Sequence, residues 1–356
     1  MNHFDNFFKN KKILVTGHTG FKGSWLCSWL SALGAEVTGF SLKPNTQPNM
    51  FSVCDIDDDI VSLIADIRNY SAIEKAVVDN EPEIIFHLAA QPLVLESYSY
   101  PLDTFQTNIL GTANLLEAVR LRGTDFVKSV VIVTSDKCYE NNNSGIPFVE
   151  NDKLGGKDPY SSSKASAEII TNAYYESYFR KEGKISVSTV RAGNVIGGGD
   201  WSADRLVPDC VRALSTNDVI SIRNPESTRP WQHVLDPISG YLELAKQSYF
   251  NSSLSGAWNF GPLDSSVKTV SDLVNEVCNH WPSSQSTVSF SEKSSSEKEA
   301  NLLSLNSIKS IENLNWAPKL NFQESVDFTI DWYKLYYSNS DSLKSLTLKQ
   351  IKSIYG

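Results

Sequence analysis

The 356-residue sequence is poor in histidine and cysteine, with five residues of each type and no clustering. No C-x-x-C pair, H-x-x-x-H spacing or Cys/His cluster occurs, so the sequence proposes no metal site. Cysteines this widely separated are typical of reduced thiols in a cytosol rather than of disulfides. The five are Cys27, Cys54, Cys138, Cys210 and Cys278.

Basic residues are also in short supply, since 32 Lys and Arg against 41 Asp and Glu give a net charge of −9. Nucleic-acid binding relies on a surplus of Lys and Arg along one face, so we expect no nucleic-acid partner. No run approaches the roughly 18 apolar residues of a membrane-spanning helix. The first residues lack the basic and apolar regions of a secretory signal. We therefore expect a cytoplasmic protein without a membrane partner.

What the first half does contain is a regular alternation of strand-like and helix-like stretches. Short apolar runs occur at 12–16, 36–41, 60–65, 84–88, 130–134 and 185–190, with helix-length stretches between them. This alternation predicts a parallel sheet covered on both faces, and right-handed crossovers make it doubly wound. The predicted fold class is α/β, a Rossmann-like doubly wound parallel sheet with a smaller C-terminal α/β substrate domain.

A glycine-rich turn at 17–23 lies directly between the first predicted strand and the first predicted helix, with G-x-x-G-x-x-G spacing. Glycines permit a tight turn and a close approach of the backbone to a pyrophosphate. The following helix N-terminus offers unpaired N–H groups and a positive dipole. The turn therefore predicts a dinucleotide site, with candidate contacts at Gly17, Thr19, Gly20, Phe21, Lys22 and Gly23.

The sequence pattern changes from about Gly193, where glycine clusters, prolines and shorter elements replace the regular alternation of strands and helices. This change predicts a dinucleotide-binding domain over 1–192 and a substrate-binding domain over 193–356, with interleaved boundaries.

The adenosine end of the dinucleotide site is less sharply marked. The second strand ends near Ser41 without an acidic residue for a ribose. Lys43 is either a partner for a 2′-phosphate or a solvated loop lysine, so charge alone leaves NADP open. Asp66, after the third strand, either hydrogen-bonds adenine or forms a helix N-cap or surface turn.

A Tyr-x-x-x-Lys pair marks the candidate chemistry. Tyr160 and Lys164 lie one helical turn apart on one face. A free phenol has a pKa of about 10, too high for a base at neutral pH. A neighbouring ammonium and a positively charged nicotinamide favour the phenolate and lower that pKa.

The fifth strand ends in Ser135, Asp136 and Lys137, at the edge where parallel sheets bind ligands. The Ser135 hydroxyl is expected to polarise a carbonyl or hold a substrate hydroxyl. Asp136 is a general acid if a closed site raises its pKa. Without the Tyr-Lys motif, a solvated strand-end pair is the better interpretation of Asp136 and Lys137.

Together these residues resemble the extended short-chain dehydrogenase/reductases that modify nucleotide sugars. Besides the glycine turn and the Tyr-Lys pair, the similar segments are HLAA at 87–90, NILGT at 108–112, RAGNV at 191–195, RPWQHV at 229–234, WNFG at 258–261 and NWAP at 315–318. Within that family, GHTGFKGSWL at 17–26, the Asp136–Lys137 pair and RPWQH at 229–233 are most similar to the 4,6-dehydratases that act on CDP-glucose.

The resemblance implies a lyase that contains NAD and makes CDP-4-keto-6-deoxyglucose for deoxysugar biosynthesis of the O-antigen type. Tyr160 would take the proton of the 4-hydroxyl, Ser135 would steady that oxygen, and Asp136 would protonate the departing 6-hydroxyl. Hydride leaves C4 and returns to C6, so NAD is regenerated within one turnover. It also implies cofactor contacts at Asp66, Ile67, Leu88, Ala89, Ala90, Thr134, Tyr160 and Lys164.

Lys137 departs from the pattern of the related dehydratases, which carry a glutamate there that is thought to take the C5 proton. A protonated lysine is not a base, so either Lys137 is neutral in its site or another group acts. We favour a neutral Lys137.

Arginines are concentrated between 191 and 229, and guanidinium groups bind diphosphates in a bidentate manner. Arg191 and Arg212 are better explained as a structural and a helix-surface residue. His233 and Trp231 either line the pocket or pack a strand. The predicted substrate contacts are Ser97, Asn194, Arg205, Leu206, Arg223, Arg229 and Asn259.

Two other functions remain open from the residues. A nucleotide-sugar 4-epimerase uses the same tyrosine and nicotinamide but has no need of an acid such as Asp136. A non-catalytic dinucleotide-binding regulator has the same fold but no need of Tyr160 and Lys164. The family is dimeric or tetrameric, so we expect a homodimer or homotetramer formed by helices near 98–120 and 160–180.

Overall fold

The computed structural model describes residues 4–141, 143–222, 224–263, 266–281, 284–290, 303–338 and 342–356. Its central element is a parallel sheet of seven strands in the order β10-β6-β5-β4-β1-β2-β3. These strands are β1 (Lys12–Thr16), β2 (Glu36–Ser41), β3 (Val61–Ile64), β4 (Ile84–His87), β5 (Ser129–Val133), β6 (Ser186–Arg191) and β10 (Gly256–Asn259). The strand order reverses between β1 and β4, which is the point where such sheets bind nucleotides.

Helices cover both faces of this sheet, as the strand alternation predicted. Ile13 and Val15 of β1 point into one hydrophobic core, and Leu14 between them points into a second. The doubly wound α/β fold class is therefore confirmed. The helices are α1 (Phe21–Ala32), α2 (Met50–Val53), α3 (Tyr70–Asn80), α4 (Val94–Ser99), α5 (Pro101–Phe105), α6 (Gly111–Ala118), α7 (Pro159–Tyr174), α8 (Arg180–Glu182), α9 (Leu206–Thr216), α10 (Leu235–Phe250), α11 (Val270–Asn279), α12 (Ile308–Leu314), α13 (Phe322–Tyr337) and α14 (Leu343–Tyr355).

The second half adds two small sheets beside the large one. One has the order β11-β9-β7, with β7 (Asn194–Ile196) parallel and β11 (Val267–Thr269) antiparallel to β9 (Thr228–His233). The other pairs β8 (Ile220–Ile222) with β12 (Val288–Phe290). Because β10 returns to the large sheet beside β6, the chain passes between the two regions more than once. The division at residue 192 stays a prediction.

The C-terminal helix α14 packs back onto α1. The rings of Tyr355 and Trp29 have their centroids 5.0 Å apart. The Tyr355 hydroxyl donates to the buried Asp236 carboxylate at the start of α10, 2.5 Å away. The last helix therefore braces the helix that follows the glycine turn. Across the described ranges, no helix combines the length and the apolar character needed to cross a membrane.

Candidate active site

Glycine is sterically required at two positions of the turn between β1 and α1. Gly17 has a φ of +77°, and a Cβ there would lie 2.7 Å from the backbone of Leu88 and Ala89 after β4. A Cβ on Gly23 would lie 2.1 Å from the Gly17 carbonyl oxygen. The turn is therefore a bare backbone cradle at the switch point of the sheet, which fits a dinucleotide pyrophosphate.

The first turn of α1 completes this cradle. Its N-cap is Gly20, and none of the described side chains caps the helix. The first N–H groups of the helix are therefore available to an anion, and the helix dipole favours a negative charge there. Phe21 and Lys22 are half-buried beside this opening. The Thr19 hydroxyl is used elsewhere, because it donates to the Leu42 carbonyl oxygen 2.8 Å away.

The end of β4 forms the opposite wall of the cradle. His87 holds it in place through Thr16 Oγ1, 2.7 Å from Nδ1, and Thr112 Oγ1, 3.1 Å from Nε2. Burial lowers the pKa of His87 to about 3, so the ring is neutral. Thr16 Oγ1 also accepts from the Ala89 amide. The predicted contacts Leu88, Ala89 and Ala90 therefore follow a rigid strand end and are half-buried along the cleft.

At the adenosine end, Asp66 is already paired with a neighbour. Arg68 donates to it through Nε and Nη2, at 2.6–3.0 Å, and through its own amide. The Arg68 hydrogen bonds lower the pKa of Asp66. The N-cap of α3 is Asn69, so Asp66 does not cap that helix, and its contact with adenine stays a prediction. Ile67 is buried, Lys43 is exposed, and their cofactor contacts stay predictions.

The structure brings Ser135, Asp136, Tyr160 and Lys164 together at the carboxyl end of β5. Ser135 Oγ lies 2.9 Å from Asp136 Oδ1 and is hydrogen-bonded to the Tyr160 hydroxyl. Lys164 Nζ donates to the Val133 carbonyl oxygen, 3.2 Å away. All four side chains are buried. The two sequence motifs, 25 residues apart between Ser135 and Tyr160, therefore form one cluster.

Burial dominates the electrostatics of this cluster. Burial raises the pKa of Tyr160 to about 12, and the Ser135 hydrogen bond opposes this only in part. Burial lowers the pKa of Lys164 to about 8. The protein's own side chains therefore do not produce the phenolate, and the expected lowering of the tyrosine pKa needs the cationic nicotinamide.

Asp136 matches the requirement for a general acid. Burial raises the pKa of its carboxyl group, while the Lys137 ammonium and the Ser135 hydrogen bond oppose the rise. Asp136 Oδ2 would lie 3.5 Å from a Cβ on Gly193, so the connection between β6 and β7 also approaches it closely. Lys137 is half-buried in the one-turn 3-10 helix Asp136–Cys138 and faces the same carboxyl group.

Two of the predicted substrate arginines face the cluster. Arg205 pairs with Asp200 at 3.4 Å, and its charge lowers the pKa of Tyr160. Arg229, on β9, lowers the pKa of Asp136 in the same way. Asn194 and Leu206 are half-buried at the starts of β7 and α9. The predicted contact Arg223 lies outside the described residues.

Three predicted contacts have side chains committed to the protein. Asn259 is fully buried and bonds to the Tyr139 hydroxyl and the Phe148 and Asn306 carbonyl oxygens. Ser97 accepts from the Tyr160 amide and so fixes the start of α7. Thr134 donates to Glu168. Partners within the protein therefore bind all three polar groups, and their substrate and cofactor contacts stay predictions.

Four further residues between 191 and 233 have structural roles. Arg191 forms a buried ion pair with Glu168, and Arg212 pairs with Asp209 on the surface of α9. Trp231 donates to the Lys268 carbonyl oxygen, and His233 packs against Trp25. The structural interpretation is therefore the right one for these four residues.

Two residues of the site were not predicted from the sequence. Tyr241 on α10 is buried, and its hydroxyl lies 3.5 Å from Lys22 Nζ. Burial lowers the pKa of Lys22 to about 7, with Arg205 and Lys164 contributing. No local pattern marks Tyr241, since it lies 219 residues from its partner. Glu168 does have a signal, because it follows Lys164 by one helical turn.

Fold and site together define a dehydrogenase/reductase-like enzyme of the extended short-chain class, in which a dinucleotide cradle adjoins a Ser-Tyr-Lys cluster. The profile of the GDP-mannose 4,6-dehydratase family matches residues 14–329. A CDP-glucose 4,6-dehydratase of Salmonella typhimurium is 42% identical over 343 residues, covering 95% of this chain and 94% of the relative. The chain belongs to the family of nucleotide-sugar 4,6-dehydratases.

Solved structures show the same fold. A dTDP-glucose 4,6-dehydratase of Bacillus anthracis in complex with NAD has a TM-score of 0.77 and 24% identity, covering 94% of this chain and all of that one. A UDP-glucose 4-epimerase of Thermotoga maritima with UDP-glucose has a TM-score of 0.78 and 22% identity, covering 91% and 99%. Dehydratases and epimerases therefore share this architecture, and the fold alone does not separate the two reactions.

Proposed function

We propose that the chain catalyses the NAD-dependent dehydration of CDP-glucose to CDP-4-keto-6-deoxyglucose, a step of deoxysugar biosynthesis of the O-antigen type. The observation that carries this proposal is the buried Asp136 carboxyl group, hydrogen-bonded to Ser135 within the Tyr160–Lys164 cluster. A 4-epimerase exchanges hydride at C4 alone and has no use for a second acid. Similarity to the Salmonella enzyme supports the choice of substrate.

The Tyr160 phenolate would take the proton of the sugar 4-hydroxyl and become the phenol, with the Lys164 ammonium one helical turn away stabilising the phenolate beforehand. Ser135, hydrogen-bonded to Tyr160, would hold the same sugar oxygen. Bound NAD supplies the hydride acceptor at C4, the hydride donor at C6 and a positive charge that favours the phenolate. Gly17, Gly23 and the first turn of α1 would hold its pyrophosphate.

Elimination then requires one base and one acid. A 4-ketone acidifies the C5 proton, which Lys137 would accept after its ammonium has released a proton to solvent. The C5–H electron pair becomes the C5–C6 double bond while the 6-hydroxyl leaves, and Asp136 would supply the proton that makes it water. Burial holds the pKa of Asp136 above its usual value, and this favours its protonated form before the step.

Substrate binding falls to residues that follow β6. Arg205 and Arg229 approach the cluster from α9 and β9, and we assign them to the nucleotide diphosphate. Asn194 and Leu206 would line the same cleft. Arginine forks suit diphosphate oxygens because each guanidinium presents two parallel N–H donors.

We also assign a cytoplasmic location and a homodimeric or homotetrameric state. All five cysteines, each among the described residues, are free thiols, as expected in a reducing compartment. Several large apolar side chains are exposed on or next to the helices near 98–120 and 160–180, which supports their burial against a second copy. They are Tyr98, Tyr100, Leu102, Leu110, Leu121, Ile169 and Tyr178.

The proposal is tested with the purified protein and four substrates. CDP-, UDP-, dTDP- and GDP-glucose are incubated separately without added reductant, and the products are weighed by mass spectrometry. We expect loss of one water from CDP-glucose and much slower loss from the others. An unchanged mass with a galactose product would identify an epimerase, and no turnover of any substrate would favour a regulator.

A further inference from the structure

A buried ion pair lies next to the catalytic cluster and has no assigned role in the reaction. Arg191 ends β6 and Glu168 lies on α7, with side chains only 3% and 4% exposed. Arg191 donates through Nε to Glu168 Oε1 and through Nη2 to Oε2, each at 2.8 Å. A buried pair is tolerated when its geometry is bidentate and its other hydrogen bonds are satisfied.

The Glu168 carboxylate is satisfied from two neighbouring strands. Thr134 Oγ1 donates to Oε1 and Thr189 Oγ1 to Oε2, both at 2.5 Å. Thr134 immediately precedes Ser135, whose hydroxyl bonds to the candidate acid. The carboxylate therefore fixes the strand end from which the reacting side chains project.

Arg191 fixes the other side of the same segment. Its Nη1 donates to the Tyr139 hydroxyl at 2.6 Å, and its guanidinium lies 4.7 Å from the centroid of that ring. Tyr139 directly follows the turn Asp136–Cys138. The catalytic turn is thus held at Thr134 on one side and at Tyr139 on the other.

Glu168 also lies one helical turn from Lys164. Burial lowers the pKa of Lys164, and the Glu168 carboxylate is the largest influence that opposes this. The Tyr160 phenol lies one helical turn away on α7. The other titratable groups facing Lys164 are Cys138, which follows β5, Lys22 on α1 and His87 at the end of β4.

None of those three groups supplies a negative charge at neutral pH. Burial raises the pKa of Cys138 well above its usual value and keeps His87 uncharged. Lys22 is a cation when protonated and repels the Lys164 ammonium. Glu168 therefore provides the countercharge for Lys164 in this part of the protein.

We propose that Glu168 is a positioning residue: anchored by Arg191, its carboxylate holds the Thr134–Ser135 strand end and maintains Lys164 as an ammonium beside Tyr160. This inference rests on the proposed function, because that function makes Tyr160 the base and Lys164 its cationic neighbour. The inference adds a set of positioning residues around the Ser-Tyr-Lys cluster, and these residues come from β6, α7 and the end of β5.

The test measures the ionisation of Lys164 directly and needs no substrate. The full chain is labelled by competitive acetylation with acetic anhydride from about pH 6 to about pH 10, a range that brackets perturbed lysines. Peptide mass spectrometry then gives the pH of half-maximal labelling at Lys164. Wild type is compared with Glu168→Gln, Glu168→Asp and the control Glu176→Gln, which removes an exposed pair with Arg180.

We expect Glu168→Gln to lower the half-labelling pH of Lys164 by about one unit, as loss of a close countercharge does. Glu168→Asp keeps the charge and should restore the wild-type value, and Glu176→Gln should not change it. If Glu168→Gln does not fold, Glu168→Gln with Arg191→Met removes both charges and should shift Lys164 in the same direction. Unchanged Lys164 labelling in a folded variant that lacks the carboxylate would overturn the inference, whether or not the wild type dehydrates CDP-glucose.

Discussion

Backbone atoms form one half of the cleft, and side chains form the other half. On the β1–α1 side, the anion cradle consists of backbone: Gly17, Gly23 and the uncapped first turn of α1. On the other side, the groups that face the cluster are long side chains, Arg205 and Arg229, each held by one or two local contacts. A backbone site is fixed by sterics, whereas a side-chain site is fixed by its partners.

This difference explains how an acidic protein can be built around two diphosphates. The glycine turn needs no net charge, because N–H groups and the helix dipole supply the positive potential. In the proposed function, the substrate half uses local arginines that a whole-chain sum of −9 conceals. The two halves should therefore respond differently to substitution.

The largest effect is expected where the halves meet, at Tyr160. Tyr160→Phe removes the group that exchanges the 4-hydroxyl proton and should lower kcat about 10³-fold, within the usual range for general acid–base groups. Tyr178→Phe, at an exposed tyrosine in the helical segment that follows α7, serves as the control. Steady-state turnover of CDP-glucose measures both, and a Tyr160→Phe variant with the wild-type rate would refute the catalytic assignment.

The backbone half of the cleft is tested by a substitution that adds a single methyl group. Gly23→Ala places a Cβ 2.1 Å from the Gly17 carbonyl oxygen. Displacing a tightly packed backbone of this kind should cost about 1–3 kcal/mol of unfolding free energy. Gly20→Ala is the matched control, because its Cβ meets the same oxygen at 3.4 Å. Urea unfolding of the two variants compares them, and equal stabilities would contradict the steric account of the turn.

The side-chain half is tested by removing one guanidinium. Arg229→Met should raise KM for CDP-glucose about 10- to 100-fold with a smaller change in kcat, the size expected for a charged hydrogen bond to a phosphate. Arg212→Met removes an arginine that pairs with Asp209 on the helix surface and should leave KM unchanged. If both variants raise KM equally, the arginines act through net charge and not through a built site.

The smallest effect concerns the brace formed by α14. Burial raises the pKa of Asp236 to about 6 although Tyr355 and two backbone amides hydrogen-bond to it. The folded state therefore binds this proton more tightly than the unfolded state, so this group's contribution to stability falls as pH rises from about 4 to about 6. The stability of wild type minus that of Asp236→Asn should decline over that window, by on the order of 2 kcal/mol. A difference that is flat with pH, measured by urea unfolding, would exclude Asp236 as the source.

The difference between a backbone site and a side-chain site also decides which features could be predicted from the sequence. Six strands of the large sheet and the glycine turn follow from local patterns, since strand alternation and steric demand for glycine act within a few residues. The seventh strand, β10, was not predicted, because it comes from the second half of the chain and pairs with β6 only through the tertiary fold. Ser135 was also found because it directly follows a predicted strand, and Tyr160 and Lys164 because they form a motif within one helical turn. The structure brings these groups together as expected.

The hydrogen-bond partners of the site's side chains were harder to predict from the sequence. The Asn259 amide accepts from the Tyr139 hydroxyl, 120 residues away in the sequence. The Thr134 hydroxyl bonds to Glu168 on α7. Burial raises the pKa of Tyr160, so the expected lowering depends on a bound nicotinamide. In each case the deciding partner or burial arises from tertiary packing, which single-sequence patterns do not contain.

The central claim is that one bound cofactor carries hydride from C4 to C6 of the same sugar while water is lost. CDP-glucose deuterated at C4 tests this most directly, with the product analysed by mass spectrometry and NMR. The account predicts loss of one water and deuterium in the C6 methyl group, without added reductant. Deuterium retained at C4 in a product of unchanged mass would contradict it.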